Sequence, residues 1–244
     1  MPRHWNRDSI APQPVRQEVR SLRNYCMKYF FLFLLSQSVL LPIIAGLVRW
    51  RRIDKGYRPF FWLLVIGFFV ELISFLSIRM AKDNTVIVNI YMLVEWTLLA
   101  WQFHIWGFLR QKKIFFYLLL GIVAMVWSIV DLALGHIHDF SPYFVFFYSF
   151  LIVLLGVNEI NFMITHYNRN LFRNPRFVIC VGLIIYFVYL IVYYWALEIS
   201  KRGRSEISIS ISITFLQGYV NILANIIYAI AFLLFPKPQK FTLQ

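Results

Sequence analysis

Glu71 and Glu95 stand near the middle of two apolar runs long enough to cross a bilayer, an expensive place for an acid. An ionisable group at the centre of a membrane helix costs roughly 2.5–3.5 kcal/mol on insertion scales, so it turns inward towards a partner. The two acids fall at similar depth in their runs. In the third run Tyr91, Glu95 and Gln102 follow i, i+4, i+11, which sets them on one helical face. In the last run Thr214, Gln217, Asn221, Asn225 and Tyr228 follow steps of three, four, four and three, a single polar stripe. Two carboxylates beside amides are the groups of a proton-holding or cation-binding centre, since like charges at one site share a proton. The same groups also serve packing, with amides bonding across helices for about 0.6–2 kcal/mol each. The residues read as a ligand- or proton-binding centre are Glu71, Tyr91, Glu95, Gln102, Gln217, Asn221 and Asn225.

Other chemistry-bearing residues are fewer. His136 and His138 point the same way in an extended loop near Asp131, a set compatible with zinc. H-x-H alone is weak evidence for a metal, and a solvated loop capping the next helix is the preferred reading. Asn158, Glu159 and Asn161 fall near one end of the fifth run, where a wetted helix end accounts for them. Cys26 and Cys180 are expected on opposite sides of the membrane, too far apart to bridge. No motif calls for a cofactor.

The elements that must position these residues are membrane helices. Of the 244 residues 60% are apolar and only 14% charged, where a soluble domain has about 45–50% and about 25%. A chain this size cannot bury so much apolar surface in its own core, so lipid must solvate it. The expected fold is an all-α integral membrane protein, a bundle of seven transmembrane helices at about 29–48, 60–78, 86–107, 114–134, 143–165, 177–197 and 211–235. Residues 27–244 form this one domain. The punctuation agrees: Asp83-Asn84-Thr85 offers a cap to the third run, and Ser141-Pro142 and Asn174-Pro175 pair a capping residue with a first-turn proline. Ser205 to Thr214, SEISISISIT, alternates with period 2 and reads as an outer loop merging into the seventh helix. The first run is no cleavable signal peptide, because it is long, lacks an A-x-A site and meets Arg49-Trp50-Arg51-Arg52. Trp50, Trp62, Trp106 and Trp195 read as belts at the membrane interfaces.

The net charge of +13 would suggest nucleic acid in a soluble protein. Here the bases sit in short gaps between spans, as anchors at lipid headgroups do, and no nucleic-acid partner is expected. Arg49, Arg51, Arg52, Lys55 and Arg58 share one side with Arg110, Lys112, Lys113, Arg169, Arg173, Arg176, Lys237 and Lys240. The other side has Lys28, Arg79, Lys82, Lys201, Arg202 and Arg204. The bias places the N-terminus outside and the C-terminus in the cytoplasm. Residues 1–26, with five arginines, read as a disordered basic tail that opposes this bias, and Met27 reads as a natural start.

Seven spans with the N-terminus outside resemble rhodopsins and G-protein-coupled receptors in topology alone. The seventh span has no lysine for a retinal Schiff base, and no E/D-R-Y triplet closes the third, which ends Trp106-Gly107-Phe108. Seven-span zinc hydrolases carry histidines in their last helix, where this chain has Asn221 and Asn225. Asn89-Ile90-Tyr91 with Glu95, and Asn221-Ile222-Leu223 with Asn225, are similar to small uncharacterised seven-span inner-membrane proteins of Bacteroidetes-type bacteria. Some of those appear beside sensor histidine kinases, and the resemblance implies a sensory role. The first functional reading is therefore a non-enzymatic module in the bacterial inner membrane that binds a small ligand or proton and signals to a cytoplasmic protein. A proton- or cation-coupled carrier or channel using Glu71 and Glu95 is the alternative, although no internal repeat or broken helix pair supports it. A lipid-modifying membrane enzyme using His136, His138 and Asp131 is the third.

Overall fold

The computed structural model describes residues 31, 33–81, 83–107, 113–133, 142–166, 171–202 and 207–235. Among them the regular structure is entirely helical. The helices are α1 (Phe33–Val48), α2 (Arg58–Ala81), α3 (Thr85–Trp106), α4 (Lys113–Trp127), α5 (Pro142–His166), α6 (Pro175–Arg202) and α7 (Ile207–Leu233). All but α1 are long and apolar enough to cross a membrane, α4 with the turns that follow it, whereas the described part of α1 is shorter. The proposed tail 1–26, His136, His138 and Cys26 lie outside the described residues.

Local chemistry explains several boundaries. The Asp83 carboxylate accepts from the backbone N–H of Thr85 at 2.9 Å and from its hydroxyl at 2.6 Å, which starts α3. Asn174 accepts from the Arg176 N–H at 3.0 Å while Pro175, with no N–H to satisfy, takes the first position of α6. The last turns after α4, Ser128–Ala133, widen into a π-helix. Ile207 to Thr214 is helix and not the expected loop. Period-2 side chains do not prevent a helix, and in lipid only a helix satisfies that backbone within its own segment.

Six helices close a ring. Around it α1 packs on α2, α2 on α3, α3 on α5, α5 on α6, α6 on α7, and α7 returns to α1. Helix α4 stays outside the ring, against α3 and α5. Trp127 on α4 donates its indole N–H to the Asn89 carbonyl of α3 at 3.1 Å. The outer face is apolar: Leu41, Ile44, Leu47, Trp62, Phe69, Phe150, Val192 and Leu223 are all exposed. A water-facing bundle would reverse that distribution, so lipid is the solvent this surface fits. One end of the ring is filled with rings of another kind. Tyr57 meets Phe235 and Trp106 edge-on at 4.7 and 5.6 Å, and Phe60 meets Tyr228 and Phe232 at 5.0 and 6.1 Å.

Candidate functional site

Inside the ring lies a cavity of about 330 Å³. Among the described residues every ring helix gives it a polar group and α4 gives none. Helix α1 supplies Ser36, α2 supplies Glu71 and Ser74, and α3 supplies Tyr91 and Glu95. Tyr148 comes from α5, Tyr186, Tyr193 and Tyr194 from α6, and Gln217, Asn221, Asn225 and Tyr228 from α7. Leu63, Leu64, Met92, Leu183 and Leu190 provide apolar wall between them.

The two carboxylates are held from different directions. The Tyr148 hydroxyl donates to Glu95 Oε2 at 3.1 Å, and Ser36 hydrogen-bonds Glu71. Tyr91, Tyr186 and Tyr194 each lie within electrostatic reach of both acids. Two glycines set the tyrosines. A Cβ at Gly67 would stand 2.8 Å from the Tyr91 hydroxyl, and one at Gly182 would stand 2.6 Å from the Tyr228 ring. Bare backbone at these positions lets each side chain seat against the neighbouring helix one helical turn or so from Glu71 or Tyr186.

Six of the seven residues expected at the centre line the cavity: Glu71, Tyr91, Glu95, Gln217, Asn221 and Asn225. Gln102 does not. It is buried beneath the aromatic end, where its carbonyl accepts from the Phe60 N–H at 2.9 Å and its amide donates to the Gly56 carbonyl. Its work is to satisfy the start of α2. Asn225 does two things, lining the cavity and donating to Ser38 on α1 at 2.8 Å. Tyr148, Tyr186 and Tyr194 were not singled out by sequence, although Tyr186 and Tyr194 sit eight residues apart in an apolar run, a spacing that keeps one face.

A second polar group lies deeper towards the aromatic end. Glu159 is 1% exposed and forms an ion pair with Arg176. The Arg176 guanidinium also stands over the rings of Trp106 at 5.7 Å and Phe162 at 5.9 Å. This corrects the expectation of a wetted helix end at Glu159, and it moves Trp106 from the interface into the interior, where it is buried. Asn161 is exposed as expected. Among the described residues no three His, Cys, Asp or Glu side chains gather as a metal set. Asp131 is buried in the π-helical turns.

Fold and cavity define a multi-span helical membrane protein with a polar chamber inside its bundle. The chain matches no known family model, no curated protein and no solved structure. These comparisons give no support to the expected likeness to Bacteroidetes-type proteins.

Proposed function

We propose that this chain is a receptor-like seven-helix protein of the bacterial inner membrane, with its N-terminus outside and C-terminus in the cytoplasm. Its chamber binds a small ligand and passes the bound state to a cytoplasmic partner through the basic segment 49–58. The observation that carries this reading is the chamber itself, a volume at the lower end of the range for ligand pockets, lined by polar groups from six helices. A ligand touching so many elements biases their arrangement, which is the requirement for a switch. A contiguous route leads from it to the basic segment. Tyr228 lines the chamber and packs on Phe60, whose N–H is bonded to Gln102, which in turn holds the Gly56 carbonyl. Arg51, Lys55 and Arg58 around that point are exposed and available to a partner.

The test is a mild-detergent pull-down from native membranes, with mass spectrometry of co-purifying proteins and small molecules. A stoichiometric cytoplasmic partner that is lost on replacing Arg51 and Lys55 supports the reading. A protein that retains a solute but has no partner moves the weight to a carrier, which the tyrosines within electrostatic reach of both Glu71 and Glu95 also fit. Glu95→Gln then discriminates: solute flux in proteoliposomes collapses in a carrier.

A further inference from the structure

We infer that the chamber's ligand is a protonated primary or secondary amine with an apolar body. The inference rests on the ligand-binding reading above and names its chemical class. Charge comes first. Two carboxylates line the chamber, and no Lys, Arg or His stands among its described lining residues. Arg176, a buried cation of the bundle, is already committed to Glu159 and the rings of Trp106 and Phe162, and it does not line the chamber. Glu95, half-buried among the helices, calls for a positive partner that an incoming cation supplies, while Glu71 lines the same chamber from an exposed position on α2.

The shape of the wall favours an organic cation over a metal ion. A bare ion needs a tight shell of oxygen or nitrogen ligands, whereas this volume is several times larger than one water. Among the described residues no three His, Cys, Asp or Glu side chains converge on such a point. The wall instead presents tyrosine rings from four helices, Tyr91, Tyr148, Tyr186, Tyr194 and Tyr228, the groups that attract ammonium ions through their faces. Leucines and Met92 fill the remainder and suit an apolar body.

Unused acceptors select N–H donors over a quaternary ammonium. Ser74 is 7% exposed and lines the chamber, yet its hydroxyl has no hydrogen-bond partner among the described residues. Gln217 Oε1 is in the same condition. At Glu95 the Tyr148 hydroxyl holds one carboxylate oxygen, which leaves the other to receive an ammonium N–H.

The experiment uses the full chain in mild detergent and reads probe binding by calorimetry and by shift in melting temperature. The probes are two shape-matched sets, phenethylamine with 2-phenylethanol and phenylacetate and hexylamine with hexanol and hexanoate, and tetramethylammonium as the quaternary case. The expected result is saturable binding of the two amines at least tenfold tighter than their alcohols and acids, with tetramethylammonium weaker. Glu95→Gln lowers amine affinity at least tenfold and leaves the alcohols unchanged. Glu71→Gln and Tyr148→Phe provide the same comparison should Glu95→Gln not fold. Saturable binding of an alcohol or carboxylate as tight as its amine overturns the amine assignment while the ligand-binding reading stands. Absence of saturable binding by every probe, in protein that also carries no co-purified solute, overturns both.

Discussion

Replacing Arg176 with Met removes the only described partner charge of a carboxylate that is 1% exposed. Met keeps most of the side chain's length and apolar contact, so the change isolates charge and hydrogen bonding. Breaking a buried ion pair by deleting one partner destabilises by about 3–5 kcal/mol, because the remaining ion is left uncompensated. The loss of the guanidinium from above Trp106 and Phe162 belongs within that figure, at about 0.5–2 kcal/mol. At about 2–4 °C per kcal/mol for a chain of this size, the melting temperature should fall by on the order of 10 °C. Tryptophan fluorescence during thermal unfolding reads it directly, since the sequence has eight Trp. Glu159→Gln should cost less than Arg176→Met, because the guanidinium keeps both rings and can still donate to the amide. The double variant Glu159→Met with Arg176→Met should recover most of the loss, as apolar replacements of a whole buried pair do. A loss of about 1 kcal/mol or less for Arg176→Met, the scale of exposed pairs, would refute the reasoning and restore a water-wetted helix end.

Three further outcomes are expected. Gly67→Ala drives a methyl against the Tyr91 hydroxyl and should cost about 1–3 kcal/mol; adding Tyr91→Phe, which removes that oxygen, should restore most of the melting temperature, and failure to do so shows that the clash lies elsewhere. Gln102→Ala leaves the Phe60 N–H and Gly56 carbonyl unmet and should cost about 1–3 kcal/mol; amine binding measured by calorimetry should stay within about twofold, and a larger loss would return Gln102 to the site. For orientation, single cysteines replace exposed Asp83 or Arg51 in a Cys26→Ser, Cys180→Ala background. Impermeant maleimide should label intact cells at position 83 and reach position 51 only after lysis; the reverse pattern inverts the topology.

The helices were legible because length, apolarity and caps are local properties. Asn174-Pro175 and Asp83-Thr85 work in the fold as their chemistry dictates. Depth and partnership are not local. Gln102 shares a helical face with Tyr91 and Glu95, but it lies seven residues beyond Glu95, about 10 Å along the axis. Periodicity reports angle, so it grouped a helix-start residue with the chamber. Glu159 failed for a related reason. Its partner arrives from another helix, and nothing in the fifth run announces an arginine on the sixth. The tyrosines of α6 were hidden by their own ambivalence, since a Tyr in an apolar run serves equally as interface belt, as core or as chamber wall.

What separates interhelical glue from a binding site in this bundle is whether the polar atoms are already satisfied. Gln102 meets both of its needs within the protein, and Asn225 spends its amide on Ser38 and Asn221. Polar groups kept only to hold membrane helices together end in that state, because an unmet group in a low dielectric works against the packing it is meant to secure. Ser74 and Gln217 Oε1 face the chamber with no partner among the described residues, and Tyr91 and Tyr228 are positioned there by bare glycine backbone. Steric placement leaves hydrogen-bonding capacity unspent. On the proposed reading, such a chamber would gain stability when something with N–H donors and a positive charge enters it, and that gain would be the energy by which a ligand shifts the helices around it.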